Sequence, residues 1–112
     1  MPDVRETFTL EAAGALTTGV KDRYETAFSG DATSINGVVG TAPTGASLIV
    51  QVRLDTVVVG TLTFAIGATE AVFDINPDVT FASAQTFDLN VTQIGSTVAG
   101  SDLDVSVAYS PR

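Results

Sequence analysis

The chain has 112 residues, of which 45% are hydrophobic and 16% charged, and its formal net charge is −8. That length supports one packed domain, and that hydrophobic fraction excludes disorder of the whole chain. With 13 acidic residues against 5 basic ones and no His or Cys, disulfides, ordinary zinc or copper sites and Ser-His or Cys-His nucleophile pairs are excluded, and contact with nucleic acid or anionic membranes is disfavoured.

Residues 1–16 (MPDVRETFTLEAAGAL) lack the basic region and apolar segment of a secretory signal, and no apolar run reaches the ~18 residues of a membrane-spanning helix. The first three residues are expected to fray. Residues 5–10 alternate and form a candidate first strand. Residues 11–16 suit a turn of helix, a loop, or an extension that docks on a neighbouring subunit. Residues 1–20 are therefore read as an N-terminal arm, and residues 21–112 as the folded domain.

Residues 21–28 (KDRYETAF) place Tyr24 and Phe28 on one face of a strand. A turn at 29–31 leads to a strand over 32–39, with Ile35 and either Val38 or Val39 inward and Asn36-Gly37 as a bulge or tight turn within it. Pro43 and Gly45 mark a loop, because one fixes φ and the other permits φ > 0. Residues 47–54 (SLIVQVRL) show the clearest alternation in the chain. After the short Asp55-Thr56 connection, residues 57–66 (VVVGTLTFAI) continue with Val58, Leu62, Phe64 and Ile66 on one face, and Gly60 marks a bend.

Residues 71–75 form a short strand that Asn76-Pro77-Asp78 ends. The stretch 86–109 (TFDLNVTQIGSTVAGSDLDVSVAY) alternates twice around a Gly-, Ser- and Thr-rich loop. Phe87, Leu89 and Val91 share one face; Leu103, Val105, Val107 and Tyr109 share another. The reading is a pair of antiparallel strands in a sheet wet on one side. About eight strands at this spacing predict an all-β fold, an antiparallel β-sandwich that is jelly-roll-like. The expected core holds Tyr24, Phe28, Leu48, Val50, Val52, Leu62, Phe64, Phe87, Leu89, Val91, Leu103, Val105 and Val107.

No catalytic, cofactor or metal residue is assigned, and the chain is read as not an enzyme. Asp88, Asp102 and Asp104 could bind a cation or act as an acid-base pair, but a solvated outer sheet face explains them more simply. Asp74 and Asp78 fit an Asx turn around Asn76-Pro77 better than a calcium loop. Asn90-Val91-Thr92 matches a glycosylation acceptor by chance. Tyr24 and Tyr109 are the candidates for glycan contact, since Trp is absent and the other aromatics sit in phase with aliphatic neighbours. Arg5, Arg23 and Arg53 fit local ion pairs, or a surface that meets an acidic partner or adjacent subunit. Val57 and Val59 are expected outward, as are Ile49 and Ile94. An outward apolar strip of this kind suggests a subunit interface, with Arg53 beside it.

Two segments, residues 41–52 (TAPTGASLIVQV) and residues 91–103 (VTQIGSTVAGSDL), together resemble a small β-sandwich module of virion structural proteins of tailed bacteriophages. Such modules occur in head decorations, head fibres and tail appendages, and the resemblance spans residues 23–107. Relatives commonly carry an Asn-Gly turn where this chain has Asp55-Thr56, and a Gly-Asp where it has Ala84-Gln85-Thr86. The resemblance implies a non-enzymatic virion protein, made in the host cytoplasm. The favoured role is a capsid decoration or minor capsid protein that sits over shell junctions and stabilises them. Its partners would be copies of itself, a trimer being favoured, and the major capsid protein, with no cofactor, nucleic acid or membrane. The head is preferred because no trunk of coiled coil or repeats is present. The alternative is a tail or head-fibre appendage that binds a host surface glycan or receptor.

Overall fold

The computed structural model describes residues 6–111. Eight strands follow in order: β1 (Glu6–Ala15), β2 (Gly19–Glu25), β3 (Gly30–Thr41), β4 (Leu48–Leu54), β5 (Val57–Phe64), β6 (Glu70–Phe81), β7 (Thr86–Gln93) and β8 (Ser101–Pro111). They form two four-stranded sheets, sheet A in the order β1-β8-β3-β6 and sheet B in the order β2-β7-β4-β5. All the pairings are antiparallel. This is an all-β sandwich with a jelly-roll strand order. Every connection crosses between the sheets except the β4–β5 turn.

Alternation builds the core. Leu48, Val50, Val52 and Leu54 of β4 point inward, as do Phe87, Leu89 and Val91 of β7; they meet Leu103, Val105, Val107 and Tyr109 of β8 across the sandwich. Removing these apolar surfaces from water is the main stabilising contribution. Of the expected core, Tyr24 and Phe28 are only half-buried and pack against its margin. Two inward glycines make room for large neighbours. A Cβ on Gly37 would lie 2.7 Å from Leu62 Cδ1 and Phe64 Cζ, and one on Gly60 would lie 2.5 Å from Ile35 Cδ1. Gly60, read from sequence as a bend, is thus a site of close approach between the sheets.

Several expectations are corrected. β7 and β8 are not a hairpin: β7 pairs with β2 and β4, and β8 with β1 and β3. The loop between them crosses from sheet B to sheet A, and period-two alternation looks the same either way. In β5 the register slips between Val58 and Gly60, leaving Val59 as the extra residue. This bulge flips the phase, so Val58, expected inward, is 45% exposed, while Val59, expected outward, is half-buried against the core. Ile66 lies beyond the strand and is 59% exposed.

Asn76-Pro77 does not end β6. The strand runs on through a cis peptide to Phe81, with the register to β3 broken opposite Thr33. An edge strand tolerates the proline because its outer side needs no donor. The bulge in β3 is at that same place, whereas Asn36-Gly37 pairs in regular register; Val39 is the inward residue and Val38 is exposed. The N-terminal arm is not separate over the described residues. β1 pairs along β8 from Glu6 to Ala15, and Phe8, Leu10 and Leu16 are buried in the core. Residues 1–5, including Arg5 and the expected frayed end, lie outside the described residues.

Candidate functional site

The alternating crossings place loops 16–18, 42–47, 65–69 and 94–100 at one end of the sandwich. At the other end lie loops 26–29 and 82–85, the Asp55-Thr56 turn, and the outer ends of β1 and β8. The two ends differ in chemistry. The second gathers Phe8, Tyr24, Phe28, Phe81, Phe87 and Tyr109 into one aromatic cluster. Phe8 stacks on Tyr24 with ring centroids 4.5 Å apart, and Phe28 stacks on Tyr109 at 4.8 Å. The four-loop end has no aromatic and no charged residue in any of its loops.

Backbone hydrogen bonds tie those loops together. Thr44 N–H donates to Val98 O at 3.0 Å, Thr97 N–H to Thr44 O at 3.0 Å, Gly67 N–H to Pro43 O at 2.9 Å, and Leu16 N–H to Gly100 O at 3.0 Å. The Thr44 hydroxyl oxygen also accepts from Val98 N–H at 3.1 Å. The two segments that carry the virion resemblance therefore meet in space, loop against loop. Gly45, at φ +83°, lies so close to Ser96 and Thr97 that a Cβ there would collide with Ser96 Oγ. Ile66 and Val98, the latter 40% exposed, present apolar side chains on this end. It is an ordered, apolar-tipped surface whose loops carry no charge of their own, and Lys21 reaches its margin, where Nζ donates to the Thr17 hydroxyl. Such depletion of charge marks the centre of protein interfaces. Residue-by-residue reading missed it because the four loops are far apart in sequence; the signal available was that all four lack charge.

Charge is segregated elsewhere too. Sheet A carries Glu6 and Glu11 on β1, Asp31 on β3, Glu70, Asp74 and Asp78 on β6, and Asp102 and Asp104 on β8, with no basic residue among its described positions. Sheet B carries Lys21, Arg23 and Arg53 against Asp22, Glu25 and Asp88. The solvated-face reading of the three aspartates is thus corrected for one of them. Asp88 sits on the other sheet from Asp102 and Asp104, is only 5% exposed, and holds Arg53 by two hydrogen bonds, Nε to Oδ1 at 2.7 Å and Nη2 to Oδ2 at 2.9 Å. These bonds raise the Arg53 pKa further. Arg53 is therefore an ion-pair residue of the sheet B face.

Asp102 and Asp104 are exposed and line, with Glu11, a shallow groove of 170 Å³. Asp102 Oδ1 is occupied structurally, accepting from Gly14 N–H at 2.8 Å where β1 bulges. Among the described residues no group of three His, Cys, Asp or Glu is placed to hold a metal.

The remaining candidates are dispersed. Tyr109 is 5% exposed, and its hydroxyl donates to Glu6 Oε2 at 2.9 Å. Burial first, then this hydrogen bond, pushes its pKa up to about 12. A buried ring offers no stacking face, so Tyr109 is set aside as a glycan contact. Tyr24 is half-buried with its ring on Phe8. Val57 is exposed beside the Asp55-Thr56 turn, Ile49 is half-buried on sheet B, and Ile94 packs half-buried against the core at the loop end. The structure does not bring Val57, Val59, Ile49, Ile94 and Arg53 into one patch.

No protein-family model and no curated protein sequence matches the chain. Solved structures share its fold. A capsid structure of Helicobacter pylori bacteriophage KHP30 aligns with a TM-score of 0.58 at 13% identity, over 96% of this chain and 93% of that one. The CBM36-1 domain of a multidomain xylanase from the hindgut metagenome of Trinervitermes trinervoides aligns at 0.55 and 13% identity, over 91% and 96%. The module CsCBM6-3 of Clostridium stercorarium, solved with cellobiose, aligns at 0.52 and 17% identity, over 96% and 82%. The likeness is one of fold: a jelly-roll-like β-sandwich common to carbohydrate-binding modules and a phage capsid protein.

Proposed function

We propose that the chain is a non-enzymatic structural protein of a tailed-phage virion, a capsid decoration or minor capsid protein that seats its loop end on the shell and assembles with copies of itself. The observation that carries this reading is the loop end. In a chain of net charge −8, four hydrogen-bonded loops with no charged residue of their own, tipped by Ile66 and Val98, form a surface whose one margin, at Thr17, is reached by the Lys21 ammonium and whose centre can be buried without desolvating a charge. Sheet A, acidic throughout, would face solvent. The virion resemblance of the loops themselves, and the fold shared with a phage capsid protein, support the same reading. Repeated docking adds buried interface to the shell and stabilises it by mass action.

The test is binding of the purified chain to particles of the phage that encodes it, followed by co-sedimentation. Wild-type chain should sediment with the shells, and the double variant Ile66→Asp, Val98→Asp should remain in the supernatant while keeping its fold. Retention of binding by that variant overturns the reading.

The second reading, an appendage that binds a host surface glycan, draws on the fold shared with carbohydrate-binding modules and on the polar outer face of sheet B. There Asn90 and Gln51 lie side by side, flanked by Arg53 and Asp88. Among the described residues no aromatic is fully exposed to stack on a sugar. Binding on a glycan array, abolished by Asn90→Ala and Gln51→Ala, would favour this reading over the first.

A further inference from the structure

Among the described residues each sheet has two edge strands: β1 and β6 in sheet A, β2 and β5 in sheet B. An edge strand presents unpaired N–H and C=O groups that template another strand, and proteins guard such edges with charges, proline and bulges. Three of these edges are guarded. β1 carries Glu6 and Glu11, and the Glu11 N–H is already taken by Asp22 Oδ2 at 2.8 Å. β2 runs Lys21-Asp22-Arg23 and ends in Glu25. β6 has Glu70, Asp74, Asp78, Pro77 and the broken register opposite Thr33.

β5 lacks these guards. It has no charge and no proline, and the charge-free run extends from Val57 through Thr69. Its one bulge, at Val59, lies near its start; from Gly60 to Phe64 it keeps regular register with β4. Thr61 and Thr63 pair with Gln51 and Ile49 of the outer face, so they are the outward residues of this regular stretch. Exposed apolar side chains flank it on both sides: Val57 and Val58 before it, and Ile66 after it.

We propose that β5 is a pairing edge for a second copy of this chain. Two β5 strands lie antiparallel across a two-fold axis and join two four-stranded sheets into one. Backbone groups at a sheet edge call for another strand, and β5 of another copy supplies one with no carboxylate, so no like charges stand opposite each other across the contact. The pairing is self-complementary. With Leu62 at the axis, Thr61 of each copy faces Thr63 of the other within the regular stretch Gly60 to Phe64. The contact is two-fold, in place of the trimer expected from sequence. It deepens the self-assembly part of the reading above and is separable from docking on the shell.

Analytical ultracentrifugation of the purified chain at micromolar concentration, with circular dichroism as the folding control, tests this. Wild type should sediment as a dimer. A variant with Thr61→Lys and Thr63→Lys should be a folded monomer, as should one with Thr61→Glu and Thr63→Glu. An equimolar mixture of the two should regain the dimer, because each Lys then faces a Glu. A Val72→Lys variant, altered on the outer face of sheet A, should remain dimeric. A wild-type monomer or trimer overturns the pairing, as does a dimer that survives in the Lys variant. Shell binding by the monomeric Lys variant would separate failure of the pairing from failure of the docking.

Discussion

Arg53 and Asp88 stand directly opposite each other on β4 and β7 and are joined by two hydrogen bonds of 2.7 and 2.9 Å. On the far side of Asp88, β2 places Arg23 in the same cross-strand row. One carboxylate thus lies between two arginines on the outer face of sheet B. Removing a partner from such a pair costs more than the pair itself contributes, because the group left behind keeps its desolvation without its partner. Asp88→Ala is expected to lower the melting temperature by about 5 °C or more, and the double variant Asp88→Ala, Arg53→Met less than the single one. Thermal melts of the three proteins check this order.

The β4–β5 turn offers a stabilising change. Asp55 and Thr56 both have positive φ, 49° and 72°, as in the two-residue turns whose twist suits hairpins. A β-branched residue at such a φ is strained, and glycine is not. Thr56→Gly should stabilise the domain by about 1 kcal/mol in urea unfolding. Asp55 should be kept, because its carboxylate accepts from Thr86 N–H at 3.0 Å and Gln85 Nε2 at 2.9 Å and fastens the turn to the start of β7.

Two groups contribute to stability with opposite dependence on pH. The Asp55 pKa is lowered, chiefly by the Thr86 hydrogen bond and then by Gln85. Its contribution is present above the ordinary carboxylate pKa and is lost as pH falls through the lowered folded value. Tyr109 has the opposite sign. Its pKa is raised from 10.0 to about 12, so its contribution is full below pH 10 and is lost as pH rises from there through about 12. Tyr109→Phe should flatten the alkaline limb of a stability-against-pH curve, and Asp55→Asn the acid limb.

Thr26 links two loops at the aromatic end. Its buried hydroxyl donates to Ala82 O at 2.7 Å and accepts from Gln85 N–H at 3.2 Å, while its backbone bonds to Gln85 and Ala84. Thr26→Val keeps the shape but leaves those groups unsatisfied, and should cost about 1–3 kcal/mol. Thr26→Ser should cost much less. Chemical denaturation of both variants distinguishes the lost hydroxyl from lost packing.

The inward residues of β4, β7 and β8 were legible in the sequence because each faces the core at every second position without interruption. The phase of β5 was not, because Val59 bulges and three successive valines give alternation nothing to distinguish. Nor was the partner of β7: a local pattern tells which face is buried, but the partner is set by how the loop at 94–100 crosses the sandwich. Asp88 read as solvated because an aspartate in a strand looks alike whether it meets water or a cross-strand arginine. The loop end required the topology first, since the loops of Thr17, Pro43, Ile66 and Val98 are seen to share one end of the sandwich only when the crossings are known.

The pairing of Glu6 with Tyr109 has a consequence for folding speed. It joins strands from opposite ends of the described chain, and loops that long are slow to close. A circular permutant, with a short linker between the present ends and a new opening at Thr17-Thr18, would turn this distant pairing into a hairpin. The same sandwich should then fold faster, with its native topology unchanged.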